Sequence, residues 1–159
     1  MSGRDVTGAA CLSETERRVV GGIPFSADWS RVRLYRATCG GTAGWLRRLV
    51  LHASRNRAVA LGNRVFLPAR CEQDLGVLAH ELTHCAQYQA WGAGVYFARG
   101  AITQLRELMH RTLGLGSSAY SYRVKSGKPF EAYGMEQQAQ MVEDRFRQGS
   151  GGDHPIPSA

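Results

Sequence analysis

The period of apolar and polar positions changes several times along the 159 residues, and each change marks an element. Ser13-Glu14-Thr15-Glu16 has the S-x-x-E form of a capping box, so a short helix opens there; Gly21-Gly22 closes it and Pro24 breaks the chain behind it. Arg31 to Arg36 alternates polar and apolar side chains, as a strand with one buried face does. From about Thr42 to Ala53 the spacing is helical, with Trp45, Leu46, Leu49 and Val50 on the face expected to be buried. Ala58 to Leu61 and Arg64 to Leu67, joined by Gly62-Asn63 and stopped by Pro68, predict a hairpin on a two-residue turn. An apolar helical stretch then runs from about Glu72 to Ala90, with Trp91-Gly92 as its stop. Helical spacing resumes from Tyr96 to Leu113 through Ile102, Leu105, Leu108 and Met109, so that stripe too is expected to face a core. Gly114 to Lys128 is rich in Gly, Ser and Tyr and predicts a loop. After Pro129 a last helix places Met135, Ala139, Val142 and Phe146 on one face.

Strands and helices in this order predict one α+β domain over residues 12–148, after a flexible N-terminus at 1–11 and before a disordered Gly, Pro and Ser tail at 149–159. No apolar run reaches the length of a membrane span, and residues 1–14 lack the apolar core of a signal peptide, so the expected location is the cytoplasm, with export only by a dedicated secretion machine. The net charge of +7 is uneven: residues 1–70 hold 12 Arg against 4 acids. Arg18, Arg31, Arg33, Arg36, Arg47, Arg48, Arg55 and Arg57 could form a patch for nucleic acid or an acidic partner. No aromatic-interleaved basic stretch accompanies them, which argues against nucleic acid. Cys11, Cys39, Cys71 and Cys85 show no C-x-x-C spacing and read as reduced thiols rather than a zinc ribbon or a disulfide framework.

The helical stretch from about Glu72 to Ala90 holds the candidate chemistry. His80-Glu81-Leu82-Thr83-His84 has the form H-E-x-x-H. Positions i and i+4 share a helical face, so both imidazoles can address one metal ion, zinc by default. Glu81 lies about 100° round the helix from His80. It is therefore free to hold a water rather than to ligate, as a general base would. A catalytic zinc takes three protein ligands, so a third must come from elsewhere. Gln87 and Ala90 exclude the extended H-E-x-x-H-x-x-G-x-x-H pattern. Among the downstream acids, helical phase puts Glu131, Glu136 and Glu143 beside or at the border of the apolar face while Asp144 points away, and periodicity does not choose among those three.

Val32-Arg33-Leu34-Tyr35, Gly62-Asn63-Arg64-Val65-Phe66-Leu67-Pro68, and Leu78-Ala79 leading into the H-E-x-x-H with Gln87 behind it together resemble a known family over about residues 12–146. It is the small zincin-like metallopeptidase domain associated with bacterial extracellular contractile injection systems and related toxins. The resemblance implies a gluzincin-type arrangement, in which the third ligand is a Glu followed three residues later by Ala on a downstream helix. Glu136-Gln137-Gln138-Ala139 matches that form, and Glu131 matches the family's other common arrangement.

The expected function is therefore zinc-dependent peptide hydrolysis, with His80, His84 and Glu136 as metal ligands and Glu81 as catalytic base. A peptide or protein substrate and an injection-system or toxin-related partner are the expected partners. Tyr133 and Tyr122 are candidates to stabilise an oxyanion. Two rival readings are a non-catalytic, zinc-stabilised interaction module of such an assembly and a protease acting on nucleic-acid-bound proteins.

Overall fold

The computed structural model describes residues 9–114, 121–124 and 127–148. The chain order is α1 (Glu14–Val20), β1 (Arg33–Tyr35), α2 (Gly41–Ala53), β2 (Val59–Leu61), β3 (Arg64–Phe66), α3 (Leu75–Leu113) and α4 (Met135–Arg147). Three strands and four helices make a small α+β fold. No described helix is long and apolar enough to cross a membrane.

The capping box forms as the sequence predicts: the Ser13 hydroxyl accepts the Glu16 N–H, and the Glu16 carboxylate accepts the Ser13 N–H at 2.8 Å. Asp28 caps a 3-10 turn over Trp29–Arg31, so the strand is shorter than the alternating stretch and begins at Arg33. The sheet order is β1-β3-β2, with β1 parallel to β3 across the α2 crossover and β2 antiparallel to β3. Gly62 makes the hairpin turn at φ +63°, a conformation that favours glycine, and an added Cβ would also approach the Tyr88 ring at 3.2 Å. The outer edge of β1 is closed by Ala10, which exchanges backbone hydrogen bonds with Leu34 at 2.8 and 3.0 Å. Ala9 is buried beside it. Residues 9–11 thus pack against the sheet, while residues 1–8 and the predicted tail at 149–159 lie outside the described residues.

The core gathers Leu34, Val65 and Leu67 from the sheet, Leu78, Leu82 and Cys85 from α3, and Phe130, Met141 and Val142 from the C-terminal part. α3 starts at Leu75 rather than near Glu72 because the Asp74 carboxylate caps the Val77 N–H at 3.0 Å. The predicted stop at Trp91-Gly92 appears as a break at Gly92, whose φ of 76° and ψ of 163° belong to a region that only glycine enters readily. Two arms result. The first is packed on both sides; the second keeps Tyr96 and Glu107 buried, but its apolar stripe does not face the core. Ile102, Leu105 and Leu108 are 56–59% exposed. α2 departs from expectation in part: Leu46 and Val50 pack partly buried beside Ala43 and Leu51, while Trp45 and Leu49 are exposed. Helical spacing establishes that such a face is apolar, not that this chain covers it.

Candidate metal centre

The first arm of α3 and the first turn of α4 meet over a cleft of about 700 Å³, and they bring His80, His84 and Glu136 together in it. One ligand atom from each of the three lies within 4.8 Å of the others. His80 Nε2 is 3.2 Å from His84 Nε2, and the Glu136 Oε2 stands 3.4 Å and 3.5 Å from the two nitrogens. Donors on a tetrahedral zinc at about 2.0–2.1 Å are separated by about 3.3–3.4 Å, so the residues present fit such an ion.

Outer contacts fix which ring nitrogen faces that point. His84 Nδ1 is 2.8 Å from the Gln87 Oε1, one helical turn on, so Nδ1 carries the hydrogen and Nε2 is left with its lone pair towards the cluster. Gln87 is itself held: its amide N–H groups reach the Met135 carbonyl at 3.0 Å and the Gln138 side-chain oxygen at 2.8 Å. The Gln138 amide in turn donates to the carbonyls of Phe130 and Tyr133. This buried chain of amides ties the His84 ring to the segment that delivers Glu136. His80 Nδ1 lies 3.0 Å from the Glu143 carboxylate, an ion-pair distance, although it is off the line of a hydrogen bond. Glu143, one of the three acids that helical phase left open, therefore stands behind a histidine rather than among the ligand atoms. Glu131 is exposed on the turn before α4 and outside the cluster. Asp144 accepts the Tyr122 hydroxyl at 2.7 Å, which removes Tyr122 from the cleft. Tyr133 is buried with Lys128 over its ring.

Glu81 is buried on the same cleft wall. Burial raises its carboxyl above the ordinary range, against the pull of His80, His84 and the Ala60 N–H. Ala60 is the middle residue of edge strand β2, and its carbonyl accepts the Tyr96 hydroxyl at 3.1 Å. The outward edge of β2 is therefore occupied at Ala60 by this chain's own Glu81 and Tyr96. Gln87, Gln138 and Tyr96 went unrecognised in the sequence. Only Gln87 left a signal there, one turn beyond His84 on the same face.

Burial disfavours the charge on Glu136, but His84 and His80 overcome it and hold the carboxyl well below the usual range. Burial likewise opposes the charge on His80, yet Glu136 and Glu143 push it up to about 10; His84 is raised by Glu136. The raised proton affinity of His80 and His84 competes with a metal ion, which must displace any proton held there. His80 binds its proton more tightly folded than unfolded, so its contribution to the metal-free protein is complete below pH 6.5 and is lost as pH rises towards 10. Metal-free protein should therefore lose melting temperature over that window, while the increment produced by added metal grows. Paired thermal melts across pH check this, and an increment that shrinks with rising pH would contradict it.

A family described as the eCIS core domain matches residues 24–92. The match links the chain to extracellular contractile injection systems. It covers the sheet and the first arm of α3, including His80, Glu81 and His84, and ends at the Gly92 break; Glu136 lies beyond it. No curated protein and no solved structure was found to match the chain.

Proposed function

We propose that this chain is a zinc-dependent metallopeptidase of the injection-system setting, with His80, His84 and Glu136 as the metal ligands and Glu81 as general base. The observation that supports it most is the three-member cluster on an open cleft. A structural zinc site is closed by four protein ligands, whereas a catalytic one keeps a position for water or substrate. Among the described residues, three side chains gather at this point.

When bound, zinc supplies Lewis acidity that polarises a peptide carbonyl and acidifies a water. The chain's own residues do the rest. Gln87 keeps the His84 hydrogen on Nδ1, and Glu143 stands behind the His80 Nδ1, so both Nε2 atoms stay directed at one point. Buried Glu81 has the raised affinity for a proton that a base acting near neutral pH needs, and it can return that proton to the leaving amine. Tyr96, whose hydroxyl burial keeps protonated, holds β2 against the cleft through the Ala60 carbonyl.

The test is incubation of zinc-loaded full-length protein with a peptide library, with chelated protein alongside. New peptide termini that appear only with metal are the expected result. A protein that binds zinc and leaves every peptide intact would shift the reading to a zinc-stabilised docking module of the same assembly.

A further inference from the structure

Beside the metal cleft lies a second cavity, of about 800 Å³, whose lining is basic. Arg47, Arg48, His52, Arg55 and Arg70 line it, and among the described residues no acidic side chain does. Two of these arginines are anchored by the backbone: the Arg47 Nε donates to the Leu67 carbonyl at 2.8 Å, and Arg70 donates to the Asn56 carbonyl at 2.6 Å. Arg48 and Arg55 are exposed and have no carboxylate partner among the described residues.

The cavity adjoins the cleft. Arg70 lines both, and the turn after α2 passes from one to the other: Arg55 and Asn56 line the basic cavity, Ser54 and Arg57 the metal cleft. Arg55 and Asn56 both take left-handed backbone conformations, at φ 54° and 57°, which side chains with a Cβ adopt rarely. The far wall of the cleft adds Arg111. Among the described residues, the only acids lining the cleft are Glu81, Glu136 and Glu143 of the candidate metal centre. Arg47 is paired with Glu72 at 3.5 Å and Arg111 with Glu107 at 2.7 Å, so the positive charge left to a ligand that extends out of the cleft past Arg70 is chiefly that of Arg70, Arg48 and Arg55.

We propose that the arginine cavity is a binding site for the acidic flank of a polypeptide whose adjoining segment lies in the metal cleft. Arginine offers paired donors that match carboxylates, and fixing two of them by backbone carbonyls lowers the cost of ordering them. The partner is a polypeptide rather than a nucleic acid because no described Phe, Tyr or Trp lines the cavity, so bases have no platform on which to stack. The inference deepens the peptidase reading by naming the substrate class, but the binding it predicts needs neither metal nor turnover.

The experiment is fluorescence anisotropy with full-length protein carrying Glu81→Gln, titrated into a labelled glutamate-rich peptide, a lysine-rich peptide and a single-stranded oligonucleotide of matched charge. Selective binding of the glutamate-rich peptide is expected, persisting after chelation. Arg48→Glu and Arg55→Glu should each weaken it about tenfold, with salt deepening the loss. Arg48→Gln and Arg55→Gln should fall between, which separates lost charge from lost folding. Peptide affinity that charge reversal leaves unchanged would overturn the proposal, as would an oligonucleotide that binds more tightly through the same arginines. If the peptide binds as expected while the protein takes up no metal, the peptidase reading falls and this site stands.

Discussion

Glu81→Gln should abolish peptide hydrolysis while zinc remains bound. The substitution keeps the side chain's shape and removes its capacity to take a proton. Glu81 is outside the ligand cluster, so metal content should match wild type. A positioned general base contributes about 10²–10⁴ in rate, and turnover should fall by at least that. The checks are turnover on a cleaved peptide and metal analysis of the same preparation. A Glu81→Gln protein that keeps a tenth or more of wild-type turnover, about what losing 1.4 kcal/mol of transition-state stabilisation would leave, would remove Glu81 from this role.

The second large effect is on stability, at a residue that touches no metal. Gln138 is buried, and its side chain satisfies the Gln87 amide together with the carbonyls of Phe130 and Tyr133. Gln138→Leu fills a similar volume but removes one hydrogen bond from each of those buried groups, of which the Gln87 amide keeps the Met135 carbonyl and the Phe130 carbonyl keeps the Tyr133 N–H. Three buried hydrogen bonds at about 0.5–1.5 kcal/mol each should cost roughly 2–5 kcal/mol in total. The metal-free melting temperature should fall by roughly 5–15 °C. Gln87, released on one side, would no longer fix the His84 ring, and zinc affinity should drop about 10- to 100-fold, as it does when outer partners of ligating histidines are removed. Thermal melts and competition with a zinc chelator read the two effects separately. Wild-type affinity in a destabilised Gln138→Leu protein would show that the amide chain supports the fold without orienting the ligand.

Features set by neighbouring residues were legible in the sequence. The Ser13 capping box, the Gly62-Asn63 hairpin and the stop at Gly92 depend on local chemistry, and each appears where the sequence predicts it. The histidine pair was legible for the same reason, because i and i+4 on a helix share a face whatever the tertiary structure. The third member was not. Glu131, Glu136 and Glu143 had similar helical phase, and the choice of Glu136 came from resemblance to a family. What separates them is the placement of α4 against α3, which no periodicity encodes: Glu136 reaches the histidine cluster, Glu143 stands behind His80, and Glu131 stays exposed.

Burial was not legible where apolar faces lack a partner in the chain. Trp45 and Leu49 on α2, and Ile102 and Leu105 beyond the Gly92 break, have the spacing of core residues and stand in solvent. Spacing reports that a face is apolar, whereas its burial depends on what packs there. The amide chain was invisible for a related reason. Gln87 and Gln138 are 51 residues apart, and a glutamine in a helix carries no sign of being buried and fully paired.

The chemistry proposed for the cleft depends on which residues hold the metal. Metal content by plasma mass spectrometry on wild type, Glu136→Ala and Glu131→Ala, prepared side by side with zinc supplied, decides it. About one zinc per chain is expected in wild type and in Glu131→Ala, as a three-ligand site on one ion requires, with the metal lost selectively from Glu136→Ala. Wild type without metal, or Glu136→Ala that keeps its full zinc, would contradict the account.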